Sequence, residues 1–289
     1  MNIVEQVADK FNFEVKKFPL NGPDNIKTPW YGLFRNDTWE CIGNGSVTAR
    51  YVPHTKDDVC ALVEASKDIF DGDFEAKCNF KQGHYVTIQP TKDYRLSVFG
   101  ENDNVFPRLI ISAGYNGKPF RASIGYYRDL CRNLAMMNSV EKTTVSIRHT
   151  NHLRDKLDDL INTFSILKSG WSNLSDTIKH MESRQVNLVD FMDSVYGKPD
   201  ENSKRSVTIH KNRTESIFKR VLSERMKSGR SSFSGNFNVS AWEAYNAVQG
   251  YVQHDSSRKG KVTDFDRIVL SMNDPSVLRA ETLAIGLSL

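Results

Sequence analysis

Four side chains in the N-terminal half give this chain its clearest opening to metal chemistry. Asp71, Asp73, Glu75 and Lys77 fall within seven residues, with Glu75-Ala76-Lys77 on a predicted strand. An acid followed by Glu-x-Lys on a strand is how one large nuclease class holds Mg²⁺ beside a water-activating lysine. Here the acids come immediately before the strand instead of from a separate one, and the competing reading is a row of solvent-facing strand residues. A second cluster, Arg148-His149-Thr150-Asn151-His152, sets two histidines three positions apart. Zinc needs a third protein ligand at compatible spacing. None stands nearby, so helix capping or a phosphate contact suits the cluster better. The chain holds no G-x-S-x-G, no G-x-x-x-x-G-K-[ST] and no H-E-x-x-H, the signatures of hydrolase elbows, phosphate loops and zinc proteases. The expectation is a protein that is not an enzyme, with no catalytic residue, no metal ligand and no cofactor.

The positive signal is charge interleaved with rings. Lys118, Arg121, Arg128 and Arg132 alternate with Phe120, Tyr126 and Tyr127, and Arg148 and Arg154 follow. Single-strand binders combine a cationic groove with aromatic faces on which bases stack, each stack contributing about 1–3 kcal/mol. The competing reading packs Phe120 and Tyr126 into the core and leaves the arginines as a solvated edge. Farther on, residues 198–230 hold ten Lys/Arg against four acids, in a chain whose net charge is +4. That local excess suits a polyanion, or else a solvated helix face. The candidate nucleic-acid contacts are therefore Lys118, Arg121, Tyr126, Tyr127, Arg128, Arg132, Arg148 and His149, joined by Lys211, Arg213, Lys219 and Arg220.

The elements that must position these residues follow from composition and periodicity. The 289 residues are 39 % apolar and 26 % charged, the profile of a soluble globular protein. No apolar run is long enough for a membrane span, and the first fifteen residues carry acids where a secretory signal has its apolar core. Cys41, Cys60, Cys78 and Cys131 form no C-x-x-C pair, so neither a disulfide framework nor a zinc ribbon is implied and a reducing cytoplasm is the natural setting. Residues 1–35 read as a helix and an irregular arm, 36–150 as an α+β domain with a mostly antiparallel sheet and flanking helices, and 151–289 as a helical region packed on it. Thr38–Ile42 and Ser46–Val52 flank Gly43-Asn44-Gly45 as a hairpin. Thr55 caps a helix, Asn116-Gly117 turns a second hairpin, and a helix is expected from about Arg128. Leu153, Leu157, Leu160, Phe164, Leu167, Trp171, Leu174, Ile178 and Met181 step by four and three through four heptads. That stripe belongs to one long helix, packed either within the chain or against another subunit. Helices at 188–196 and about 212–227 come next. Ser240-Ala241-Trp242-Glu243 is a capping box opening another, and a shorter helical tail breaks at Pro275.

Three stretches carry a resemblance. Ile111-Ser-Ala-Gly-Tyr-Asn-Gly-Lys-Pro-Phe120, Tyr127-Arg-Asp-Leu-Cys-Arg-Asn-Leu-Ala135 with Ser146-Ile-Arg-His-Thr150, and Ala241-Trp-Glu-Ala-Tyr-Asn-Ala-Val-Gln-Gly-Tyr-Val-Gln-His254 followed by Arg258 resemble the phage/plasmid-like proteins that carry domain of unknown function 932. Those proteins show a "DGS"-like turn, "R-V-V-C-x-N-T-L", "R-H-T" and "A-W-x-A-Y-N-A-V-T-E-Y-V-D-H". The middle stretch departs from the pattern, with Asp129-Leu130 in place of Val-Val. The resemblance spans about residues 30–260 and implies a phage, plasmid or prophage origin, without catalytic residues to carry over. The element order in 46–137 is similar to the core of Rad52-type annealing proteins, which implies oligomers and single-stranded DNA as partner. The functional expectation is a nucleic-acid-binding protein, for single-stranded DNA binding or annealing in replication or recombination. The alternatives are an inhibitor or assembly protein acting on a host protein, and a metal-dependent nuclease.

Overall fold

The structure is a computed structural model that describes residues 2–43, 46–69, 74–79, 83–90, 94–115, 119–150, 153–162, 164–231, 236–256 and 271–286. It is α+β, with antiparallel sheets in the first half and helices dominating the second. Two compact units emerge, each assembled from separated stretches: residues 1–93, 108–124 and 142–171 in the first, and 94–107, 125–141 and 172–289 in the second.

In the first unit α1 (Ile3–Lys10) opens with a capping box, Asn2 accepting from the Glu5 N–H and the Glu5 carboxylate accepting from the Asn2 N–H. The arm after it is not irregular. It is a hairpin of β1 (Val15–Asn21) and β2 (Lys27–Arg35), extended by β3 (Val47–Thr48). The strand signal was hidden because β1 buries none of its residues and carries Pro19 within it, while only Gly32 and Leu33 of β2 are buried, so neither strand shows a clear in-out period. The expected strand at 38–42 reduces to a single bridge, Cys41 to Phe34. Trp39 interrupts it with φ 57°, a left-handed conformation costly for a bulky residue. The helix capped by Thr55 forms as expected, as α2 (Lys56–Ala65) with Asp58 completing the box.

Five strands form the main antiparallel path: β4 (Phe74–Asn79), β5 (Gly83–Pro90), β7 (Asn104–Gly114), β8 (Phe120–Arg128) and β10 (Thr144–Ile147), in the order β10-β8-β7-β5-β4. The Glu75-Ala76-Lys77 tripeptide of the nuclease alternative lies on β4, where Glu75 is in register with Gln89 and Lys77 with Thr87 across the ladder. Asp71 and Asp73 fall outside the described residues, as do Lys118, the Asn116-Gly117 turn and His152. No helix starts at Arg128. A turn over 129–132 leads to β9 (Asn133–Ala135), antiparallel to the end of β8, as β6 (Leu96–Ser97) is to the start of β7. Leu134, Ala135, Met136 and Met137 are buried in succession, and a run of four has no helical period to exploit.

The heptad stripe occupies α3 (Leu153–Asn162) and α4 (Phe164–Ser183), on either side of residue 163. Leu153, Leu157, Phe164, Leu167, Leu174, Ile178 and Met181 are buried within the single chain, Trp171 is half-buried, and the Leu160 side chain lies outside what is described. Gly170 is where the chain comes closest: a Cβ there would stand 2.6 Å from the Lys142 carbonyl oxygen.

The second unit is built on α5 (Leu188–Tyr196), α6 (Lys204–Lys227), α7 (Ala241–Gly250) and α8 (Pro275–Ile285), with β11 (Gln185–Asn187) paired to β12 (Asn238–Ser240). All ten residues of α7 are buried, and its Ser240–Glu243 capping box forms as expected. The Trp-Glu-Ala-Tyr-Asn motif is therefore the core helix of this unit. After Gly250 it loosens into one π turn, Tyr251–Asp255. The expected break at Pro275 is present: helical backbone at Ser271 and Met272 ends in a turn, and Pro275 starts a new helix at the first turn after the Asp274 cap, where its missing N–H costs nothing.

Candidate nucleic-acid interface

The basic helix α6 begins two turns earlier than its periodicity suggested, capped by Ser203, and runs 24 residues. Ile217 and Val221 face inward, and Glu224 follows them on the same buried flank. A carboxylate at an apolar-face position needs a partner, and it has one. Arg128, fully buried at the end of β8, gives Nη1 to Glu224 Oε2 at 2.6 Å, and its other edge grips Asp103 through Nε (2.7 Å) and Nη2 (2.6 Å). Burial alone would disfavour the guanidinium, but Glu224 and Asp103 hold it charged. On the other flank Arg225 and Arg230 both reach Glu243, at 2.7 and 2.9 Å. Burial would raise the Glu243 carboxyl; the Arg225 hydrogen bond, the Ser240 backbone and Arg230 outweigh it and hold it low.

Above the Arg128 pair an open groove of about 740 Å³ runs between the 129–132 turn and one face of α6, with Asp255 at its border. Ser216, Lys219, Arg220, Ser223 and Lys227 line its helical wall and Arg132 its opposite wall. Arg132, Lys219 and Lys227 are exposed, and no ion pair or hydrogen bond joins their side chains to another described residue. Arg132 is presented from a left-handed backbone, φ 57°. Arg220 is paired with Asp255.

The candidate contacts divide between the units. Arg121 (half-buried), Arg148 (exposed) and His149 belong to the first; Tyr126, Tyr127, Arg128, Arg132, Lys211, Arg213, Lys219 and Arg220 belong to the second. Three of them are corrected by burial. Tyr126 is fully enclosed, its ring 5.2 Å from Trp242 and its hydroxyl 3.4 Å from Asn246 Oδ1, so no base can stack on it. Arg128 is the ion-pair floor just described. His149 is 6 % exposed and bonds the Val52 carbonyl through Nδ1. The expected alternation failed because Ala122 to Tyr126 are buried without interruption: a strand covered on both faces carries no in-out period. Phe120 is buried as well. Tyr127 is half-buried, Lys211 stands exposed 4.0 Å from Glu215, and Arg213 lies 4.1 Å over the Tyr196 ring. The groove itself gathers Arg132, Lys219 and Arg220. Sequence reasoning missed Asp103, Glu224 and Asp255. Glu224 was detectable as the acid stepping four and three after Ile217 and Val221; Asp103 carried no such signal.

Among the described residues no group of acids, histidines and cysteines could hold a metal ion, and no helix is long and apolar enough to cross a membrane. A family model described as a domain of unknown function (DUF932) matches residues 44–273. No curated protein and no solved structure matches the chain.

Proposed function

This chain belongs to the family defined by the domain of unknown function DUF932, and we propose that it is a phage- or plasmid-type nucleic-acid-binding protein that takes single-stranded DNA by its phosphates, in replication or recombination, without chemistry of its own. The observation that carries the reading is the groove: three exposed cations, Arg132, Lys219 and Lys227, without ion-pair partners among the described residues, over a floor of buried ion pairs. Lys219 and Lys227 are eight residues apart on α6, about 12 Å along the axis, which spans three to four phosphates of a stacked strand. The floor holds the wall still, so the rim cations lose little freedom when a strand arrives.

The test is binding of labelled single- and double-stranded oligonucleotides at 50 and 200 mM salt, with particle size read by light scattering. Neutralising about three phosphates of a single strand gives a slope near −2, hence a loss of roughly twentyfold in affinity over that range. Salt-independent, weak binding overturns the reading. Oligomers larger than a monomer are expected alongside, and strands are expected to stay intact with Mg²⁺ or Mn²⁺. Cleavage lost in Glu75→Ala would favour the nuclease instead. The host-protein alternative draws on Val207 and Ile209, exposed on the first turns of α6; it gains if the groove ignores DNA.

A further inference from the structure

Within the groove, one contact goes beyond a general affinity for polyanions. Arg220 grips Asp255 side-on, Nε 3.0 Å from Oδ2 and Nη2 2.8 Å from both oxygens. A guanidinium makes the same fork with carboxylate and with phosphate. The third nitrogen, Nη1, stands 3.9 Å from Glu224 Oε1, too far for a hydrogen bond, and that oxygen has no hydrogen-bond partner among the described residues. Arg220 therefore holds donor capacity in reserve. Its place is moulded by Gly250, where a Cβ would come within 2.8 Å of Nη1 and 2.9 Å of Cδ.

The carboxylates around it are held unequally. Asp103 and Glu224 share Arg128, and Asp255 takes the fork of Arg220. Asp103 and Glu224 have side chains 0 % and 6 % exposed, and neither can leave without stranding a buried charge. Asp255 is the exposed member. Its side chain is 36 % exposed, its one partner among the described residues is Arg220, and it ends the π turn. An anion that displaced it would leave the buried pairs untouched and return Asp255 to water. Lys219 and Lys227 line the same wall and would draw that anion in.

We propose that Arg220 is the phosphate receptor of the groove, and that Asp255 is an internal carboxylate that occupies it until a phosphate group of the ligand takes its place. This rests on the nucleic-acid reading and deepens it. The phosphate is either a backbone diester or a strand terminus, so strands with and without a 5′-phosphate are both measured, with inorganic phosphate as competitor. A tighter grip on the 5′-phosphorylated strand alone marks a terminus receptor; equal grip marks the diester.

The experiment is a cycle of Asp255→Asn, Arg220→Gln and the double variant in the full chain, with circular dichroism confirming the fold of each. Asp255→Asn frees the receptor and is expected to tighten single-strand binding about five- to tenfold at 50 mM salt. The salt slope stays close to the wild-type value, because the same phosphate occupies Arg220 in both complexes and only the competing carboxylate is gone. Arg220→Gln weakens binding, and in the double variant it removes the gain, because the gain passes through the guanidinium. Gly250→Ala, which displaces that guanidinium, weakens binding as a second route to the same loss. If wild-type protein binds but Asp255→Asn leaves affinity unchanged, the exchange is overturned while the nucleic-acid reading stands. A gain that survives Arg220→Gln is a bulk charge effect and also overturns it. Absence of wild-type binding at low salt fails the underlying reading instead.

Discussion

The first unit buries a cluster of rings around two histidines; the second buries clusters of ions. In the first, His54 lies face to face with Tyr115 (centroids 4.3 Å apart, 4° between planes), His149 stacks on Tyr51 at 5.1 Å, and Phe120 closes on both histidines. In the second, Arg128 joins Asp103 to Glu224, and Arg225 and Arg230 converge on Glu243. A ring stack is neutral and owes its stability to area and geometry. An ion cluster owes it to every member being present. The two units should therefore fail under different insults, and each insult tests whether the contrast holds.

The largest effect is expected from cutting the ion cluster. Arg128→Leu strands Asp103 and Glu224 without their shared cation, and breaking a buried pair from one side costs about 3–5 kcal/mol. Urea denaturation reads this directly. A loss below about 1 kcal/mol would mean that water reaches the pair and that the second unit is not held by its ions.

Acid is the corresponding insult to the rings. Burial pushes the His149 imidazole down to about 4, against opposing contributions from the Val52 carbonyl and Asp58. The folded state thus prefers neutral His149. Its contribution is complete above the ordinary histidine value of about 6.5 and is lost as pH falls from there toward 4, for a total of roughly 3 kcal/mol at 1.36 kcal/mol per unit. Through that window the second unit keeps its pairs: Glu243 is held low by Arg225 and Arg230, and Glu281, pushed up by burial, gains from acid. Hydrogen exchange at pH 7 and pH 5 should show protection falling around 149 and 54 before it falls around 128 and 243. His149→Phe should flatten the acid limb; an unchanged limb in that variant would break the contrast.

Legibility in the sequence followed the same division. Local signals, such as the Thr55 and Ser240 caps and the Ile217-Val221 flank of α6, were readable because they act within a few residues. The heptads were readable too, but not their partner, since a stripe states only that something covers it. The β1–β2 hairpin was missed because β1 buries nothing and exposes Phe18 while β2 exposes Trp30, so no in-out alternation marks it, and β8 misled because a strand buried on both faces mixes Arg128 and Tyr126 into the same run that suggested a binding surface. Gly170 looked like a helix flaw and is a contact. In an exposed helix Gly→Ala adds about 1 kcal/mol; here the new methyl would meet the Lys142 carbonyl at 2.6 Å. Gly170→Ala is therefore expected to destabilise by about 1–3 kcal/mol, as overpacking does, and a rise in melting temperature would refute the close approach.

The smallest effect on stability belongs to the groove rim, and it sharpens the comparison by separating two cations of one site. Arg128 and Lys219 were indistinguishable as sequence, both basic and both near aromatics. The first is walled in by carboxylates, and the second stands exposed on α6 with no partner among the described residues. Lys219 gives up no buried contact when shortened, so Lys219→Ala should leave urea stability within about 0.5 kcal/mol of wild type. Its loss should instead appear in binding, with a weaker single-strand affinity at 50 mM salt and a slope shallower by about 0.7, one phosphate fewer. Lys227→Ala should do the same independently, two turns away, because the cations touch different phosphates and their effects add. A Lys219→Ala protein that binds as tightly as wild type, with the same slope, would move the strand off this wall of the groove, whatever Arg128 does to the fold beneath it.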